Sequence, residues 1–326
     1  MMMKGIFFAL TTVLLWGLDD VFCRIVLTNW TIQPIVFTSF ASFSAAYALL
    51  IIAGPGKLGI ATLRQPHTWL YSFLVVMVNI GVIYLLSLVS ATEKALLIRI
   101  SVIFSLIIAW MFLNRKPYWS DLVGASVILL GVGLVIAHLT ADIRVLAVIT
   151  LLITALFYTA RMVVTETHPT SNQATTIKDR CRTTGYVLMA TSFVFLSFSL
   201  LGAWLKVQIP AEQLLANPLL AAMPSLSDFT SPATVFAGIL LGLFNISLST
   251  YFCFYSTQIL KSEVFLMISG ITPVFIFGME YVASLFGLLD LSSLSPIDLL
   301  AGALTIGGGL FMVGMRFRRT RMQGNL

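Results

Sequence analysis

Charge is what this chain has least of. Of its 326 residues only 10% are Asp, Glu, Lys or Arg, against about a quarter in an ordinary soluble chain. A soluble fold of this length is therefore excluded, because its surface could not be wetted. Cysteine is nearly as scarce. Cys23 and Cys253 fall in apolar runs and Cys181 in a predicted loop, with no pair at metal-ligand spacing. That excludes a disulfide framework and a zinc site. The three histidines, His67, His138 and His168, lie far apart near the ends of apolar runs. No Gly-rich Walker loop is present, so the chain has no means of its own to spend ATP. No cofactor and no metal are expected. Catalysis at membrane depth also lacks parts. Gly124-Ala125-Ser126 has the look of a serine motif, but no His sits centrally in a span to activate it. Asp19 and Asp20 diverge by about 100° on a helix, which makes a poor aspartyl dyad. An enzyme is not expected.

What is present is apolar residue in long runs. Hydrophobic residues make up 59% of the chain and the mean hydropathy is +0.99. Continuous runs such as Val187–Leu205 and Leu299–Met315 are long enough to cross a bilayer as helices. A β-barrel would alternate instead. The pattern predicts ten spans, at roughly 5–27, 32–53, 68–90, 95–113, 119–139, 143–165, 184–206, 233–257, 262–286 and 297–316. Gly54-Pro55-Gly56, Lys116-Pro117, His168-Pro169 and Ser295-Pro296 punctuate them. The first run is too long for a signal peptide and is read as a retained span. The longest connector, about 207–232, includes an amphipathic stretch, Ala211–Leu220, suited to the membrane surface.

The net charge of +6 does not point to nucleic acid, because the basic residues sit beside the spans. With the N-terminus in the cytoplasm, thirteen Lys and Arg lie on the cytoplasmic side and three, Lys94, Arg144 and Lys206, on the other. This bias predicts an inner-membrane protein with both termini cytoplasmic, ending in a basic tail, 317–326.

The chain also repeats weakly. Tyr84 precedes Lys94 by ten residues, and Tyr251 precedes Lys261 by ten. Gly124-Ala125 with Gly131 matches Gly302-Ala303 with Gly309, and Asn79 matches Asn245 at the centre of its span. These patterns predict two five-span halves, 5–139 and 143–316. Five is odd, so the halves must be inverted relative to each other, the usual plan of a secondary transporter with its site near the midplane.

On these residues the chain resembles a known group. Leu14-Leu15-Trp16-Gly17 looks like its opening span. Asn114-Arg115-Lys116 followed by Gly124-Ala125 looks like the closing hairpin of its repeat. Tyr251–Gln258, Lys261 and Pro273 look like the second copy. The group is the EamA type of the drug/metabolite transporter superfamily. The resemblance implies ten helices around a central cavity and alternating access. The chain departs from it in the fourth span, where Arg99 and Ser105 stand and the group often has a Pro.

Ionisable groups within spans are the strongest candidates for function, since each costs several kcal/mol unless paired or hydrated. Asp19, Asp20, Arg24, Arg99 and Glu280 all fall in the external half, at about 1.5 Å of depth per residue; Asp19 and Asp20 diverge, so one of them is expected to face a neighbouring helix. Trp16, Asp20 and Arg24 share one helix face, so Asp20 and Arg24 are expected to pair, with Arg99 closing the chamber from outside. Arg161 is expected to snorkel to the cytoplasmic surface. Asn79 and Asn245 are candidates at the midplane, and Tyr84, Tyr158, Tyr251 and Tyr255 for aromatic walls. Lys94 and Lys261 are candidate gate residues, and Pro273 a candidate hinge. The glycines at 124, 131, 302, 307, 308 and 309 are expected to let helices pack closely.

Both signs of charge beside aromatics favour a small polar or zwitterionic metabolite, such as an amino acid. Arg24 and Arg99 would repel a bare cation. Asp20 or Glu280 is placed to take up a proton, and the expected direction is export. The oligomeric state, monomer or homodimer, is left open. A structural subunit would explain the helices, but it has little reason to keep charge inside them.

Overall fold

The computed structural model describes residues 2–30, 32–210, 220, 223–289 and 295–323. Among them there is no strand, and ten helical stretches are long and apolar enough to cross a membrane. The first span is Met2–Trp30, the second Pro34–Ala53, the third Pro66–Leu88 and the fifth Trp119–His138. The sixth is Ala141–Thr167, the seventh Ile177–Gln208 and the tenth Pro296–Gln323. The fourth, eighth and ninth are composite. The fourth joins Ala91–Leu97 to Ile100–Leu113, and the ninth joins Ser262–Ile268 to Thr272–Leu285. The eighth joins Pro232–Leu241 to Ser247–Leu260 through a π-helical turn, Gly242–Ile246. The amphipathic stretch expected at 211–220 lies outside the described residues, apart from Leu220.

Proline opens four spans, at Pro34, Pro66, Pro232 and Pro296. There its missing N–H is one that the helix would not use. Two spans run further than their hydropathy predicts. The seventh starts at Ile177, so Cys181 is buried within a helix and not in a loop. Its polar first turns are held by specific bonds. Thr176 caps the helix through Asp179 N, and Arg182 donates to the carbonyls of Ala53, Gly54 and Pro55. Those carbonyls close the second span, whose end would otherwise leave acceptors unmet. The tenth span continues to Gln323, so the expected basic tail is largely helix.

Helix neighbours are related by exchange of the two halves. The second span packs on the seventh and the fifth on the tenth; the first packs on the eighth, and the third on the sixth. Two inverted halves are consistent with this pattern. Contact between the fifth and tenth spans depends on glycine. A Cβ on Gly124 would stand 2.8 Å from Gly308 O, and one on Gly308 would stand 2.7 Å from Gly124 O. Gly131 is equally tight, whereas Gly307 faces open space and Gly302 has ordinary contacts.

Met2, Tyr118, Arg316 and Arg319 line one surface pocket, so the first and last described turns meet at one end of the bundle, called here the terminal end. Asn29 donates to Leu288 O at the opposite, remote end.

Candidate functional site

A cavity of about 370 Å³ lies among the first, second, third, fourth and ninth spans. Its lining includes exposed Thr28 and Ser90, so it opens at the remote end. Five charged side chains face it: Asp19, Asp20, Arg24, Lys94 and Glu280. A smaller chamber of about 110 Å³ continues toward the terminal end, lined among others by Trp16, Asp19, Tyr71, Asn79 and Arg161. The two share Asp19, Cys23, Phe37, Thr38 and Asn79.

Asp20 and Arg24 do not pair with each other. Arg24 is ion-paired with Glu280, whose side chain is 2% exposed. Asp20 receives Lys94, with Nζ 3.2 and 3.1 Å from its two carboxylate oxygens. The i,i+4 spacing made a pair on one helix possible, but partners on neighbouring helices are available. An acid buried on the ninth span and a lysine buried on the fourth would otherwise stand uncompensated, at a cost of several kcal/mol each. Lys94, a candidate gate residue, is thus buried in the cavity wall. Both Asp19 and Asp20 reach the outer cavity, although they leave the helix in different directions.

Arg99 lines neither chamber. It is buried where the fourth span breaks. Its backbone N–H turns to Leu96 O, which frees Ala95 O, and its own Nε takes that carbonyl at 3.0 Å. Its Nη1 then crosses to the backbone oxygen of Ser269, and to the Ser269 hydroxyl at 3.1 Å. Ser269 begins the break in the ninth span, four residues before Pro273 in the first turn of Thr272–Leu285. A break without proline is thereby satisfied by an arginine.

Arg161 was missed. It does not snorkel. Its guanidinium lies 5.5 Å from the Trp16 ring centre and 4.9 Å from that of Tyr158, and its Nε is buried with no hydrogen-bond partner. Thr154, Tyr158, Arg161 and Thr165 follow i, i+4, i+7, i+11 spacing, and this polar stripe was the signal available in the sequence. Tyr158 lines neither chamber itself but stands beside Trp16, with ring centres 6.1 Å apart.

The two asparagines divide. Asn79 faces both chambers. Asn245 lies in the π-helical turn and donates to Leu15 O at 3.0 Å, which ties the eighth span to the first beside Trp16. Tyr84 lines neither chamber. Tyr251 and Tyr255 face an apolar groove with Met3, Lys4 and Phe8, away from the central cavity.

Below the inner chamber the bundle is closed. Tyr71 packs on Phe254 at 5.2 Å between ring centres, and His168 on Phe254 at 6.0 Å. Beneath them is an ion network that the sequence did not disclose. Arg115 pairs with Glu166 and, at 3.1 Å, with Glu263; Arg316 pairs with Asp121 at 2.9 Å and with Glu263 at 3.5 Å. The hydrogen bond to Glu166, followed by the charge of Glu263, raises the Arg115 pKa above its ordinary value against a desolvation cost. Glu166 also accepts from the backbone and hydroxyl of Ser262, at 2.9 and 2.8 Å. Lys261 turns the chain there at φ 74°, with Nζ 3.7 Å from Glu166. Glu263 is 3% exposed. Asp121 and Arg115 come from the first half of the chain, and Glu166, Glu263 and Arg316 from the second.

Residues 3–137 match the EamA-like transporter family. Over that stretch the chain is similar to EamA-type transporters. The matched stretch covers the first five spans almost to the end of the fifth. A protein of known crystal structure superposes on this chain with a TM-score of 0.64 and 15% identity, over 97% of this chain and 99% of its own. That likeness shows the shared fold. No curated protein matches the sequence. Ten apolar helices of spanning length fit a multi-pass membrane protein, and a charged cavity between them suits a small-molecule substrate.

Proposed function

We propose that this chain is a secondary transporter working by alternating access, which exports a small polar or zwitterionic metabolite of the amino-acid kind across the inner membrane. One observation carries the reading: a charged cavity opens at the remote end, while aromatic packing and an ion network close the terminal end. The two ends then alternate, with the termini cytoplasmic and residues 5–139 and 143–316 acting as inverted halves. Arg115, Asp121, Glu166, Lys261, Glu263 and Arg316 form the cytoplasmic gate. Asp20, Arg24, Lys94 and Glu280 form the external vestibule. Their two ion pairs keep it polar while leaving no net charge. Proton coupling falls to a carboxylate of this vestibule.

The test is solute counterflow into liposomes containing the purified chain. Saturable uptake of a metabolite, lost when cysteines at positions 115 and 263 are cross-linked and restored on reduction, is the expected result. Uptake that is indifferent to the cross-link would remove alternating access at this gate.

A further inference from the structure

Six charged side chains line the two chambers: Asp19, Asp20, Arg24, Lys94, Arg161 and Glu280. Four of them form two ion pairs, Asp20 with Lys94 and Arg24 with Glu280. The remaining two are of opposite sign, face the same inner chamber, and do not pair with each other. Among the described residues the one hydrogen bond to the Asp19 side chain is a weak one from Cys23 Sγ at 3.6 Å. Arg161 has aromatic faces beside it and, among the described residues, no carboxylate ion-paired with it.

A protein that merely neutralised its buried charges would have brought these two together as it did the others. Held apart in a low-dielectric chamber, each is costly unless water or a ligand meets it. We propose that Asp19 and Arg161 are the two poles of a subsite for the head group of an α-amino-acid-like zwitterion. This rests on the transporter reading above and assigns its substrate class. Arg161 receives the carboxylate, for which a planar guanidinium is suited in both charge and hydrogen-bond geometry. Its Nε is buried without a partner, so the guanidinium still has donor capacity unspent. The Trp16 and Tyr158 rings hold the guanidinium in place. Asp19 receives the ammonium. The chamber, at about 110 Å³, has room for a head group. The side chain of the ligand extends past Asn79 into the outer cavity of about 370 Å³. A site built to pair both charges rejects analogues that lack one, because the abandoned pole is left buried and unmet.

The experiment is a thermal-shift titration of the full chain in detergent with the common L-α-amino acids. Each is tested beside its decarboxylated amine and its α-hydroxy acid. At least one amino acid should raise the Tm, and its amine and hydroxy acid should bind at least tenfold more weakly. Arg161→Gln and Asp19→Asn should each weaken binding by tenfold or more. Arg161→Lys and Asp19→Glu, which keep the charge, serve as folded partners whose binding should be partly restored. Absence of a shift with every amino acid overturns the proposal, and so does equal binding of an amine. Unchanged affinity in a well-folded Arg161→Gln variant overturns it as well. Counterflow of a wider metabolite set separates the two levels. A wild-type chain that moves some other solute loses the subsite and keeps the transporter reading; a chain that moves none loses both.

Discussion

Asp20 reaches across to Lys94 on the fourth span and leaves Arg24, four residues along its own helix, to Glu280 on the ninth. The first span is therefore fastened to the first half of the chain by one charge and to the second half by the other. A double-mutant cycle in melting experiments should give a coupling of about 1 kcal/mol or more between Asp20 and Lys94. Between Asp20 and Arg24 it should be close to zero. Strong coupling of the second pair and none of the first would show that the pairs are exchanged.

Removing Glu280 should hurt more than removing its partner together with it. Glu280→Gln strands Arg24 and is expected to destabilise by about 3 kcal/mol. The double variant Glu280→Gln, Arg24→Gln should recover much of that loss. A melting curve decides it, and a double variant no better than the single would mean that the pair does not act as a unit.

The ion network at the terminal end should control access from that side. Cys253 is buried beneath the inner chamber, 4.0 Å from Met162 Sδ, and makes a native reporter once Cys23 and Cys181 are replaced by alanine. In Glu166→Gln its reaction with a small maleimide should rise roughly tenfold, as a gate weakened by about 1.4 kcal/mol would allow. Unaltered reactivity would show that the network does not hold the gate.

Orientation is read with the same chemistry. Cysteines at Asn29 and at Leu288, which is 46% exposed and adjoins it, should react with an impermeant reagent outside intact cells. A cysteine at Gln65 should not. Leu289, one residue on, is buried and would mislead. The reverse pattern would invert the topology inferred from the basic residues.

Gly124→Val should destabilise by about 2 kcal/mol, because its side chain would meet the backbone of the tenth span. Gly307→Val, pointing into open space, should stay within about 0.5 kcal/mol of the parent. Equal melting temperatures for the two variants would remove the close contact as a stabilising feature.

Hydropathy made the ten spans legible, because a bilayer forces each crossing to be long, apolar and helical. It did not place Cys181 or the end of the tenth span, since polar turns beyond the apolar run are stabilised by bonds such as those of Arg182 to the second span. The charges Asp20, Arg24 and Glu280 were recognisable by their cost in hydrocarbon. Their partners were not, because pairing depends on which helices are neighbours, and a single sequence does not state that. Arg161 was misjudged for a related reason. Distance from a span end says how far a side chain must reach for water, but not whether an aromatic pocket holds it inside.

Arg99 gives the broken helices a shared fate. Its side chain mends the fourth span at Ala95 O and grips the ninth at Ser269, so the weakest points of two helices, one in each half, are one mechanical joint. Bending one helix at its break pulls on the other through a single planar group. A lysine there, with its single ammonium, could not hold both carbonyls in the same fixed geometry.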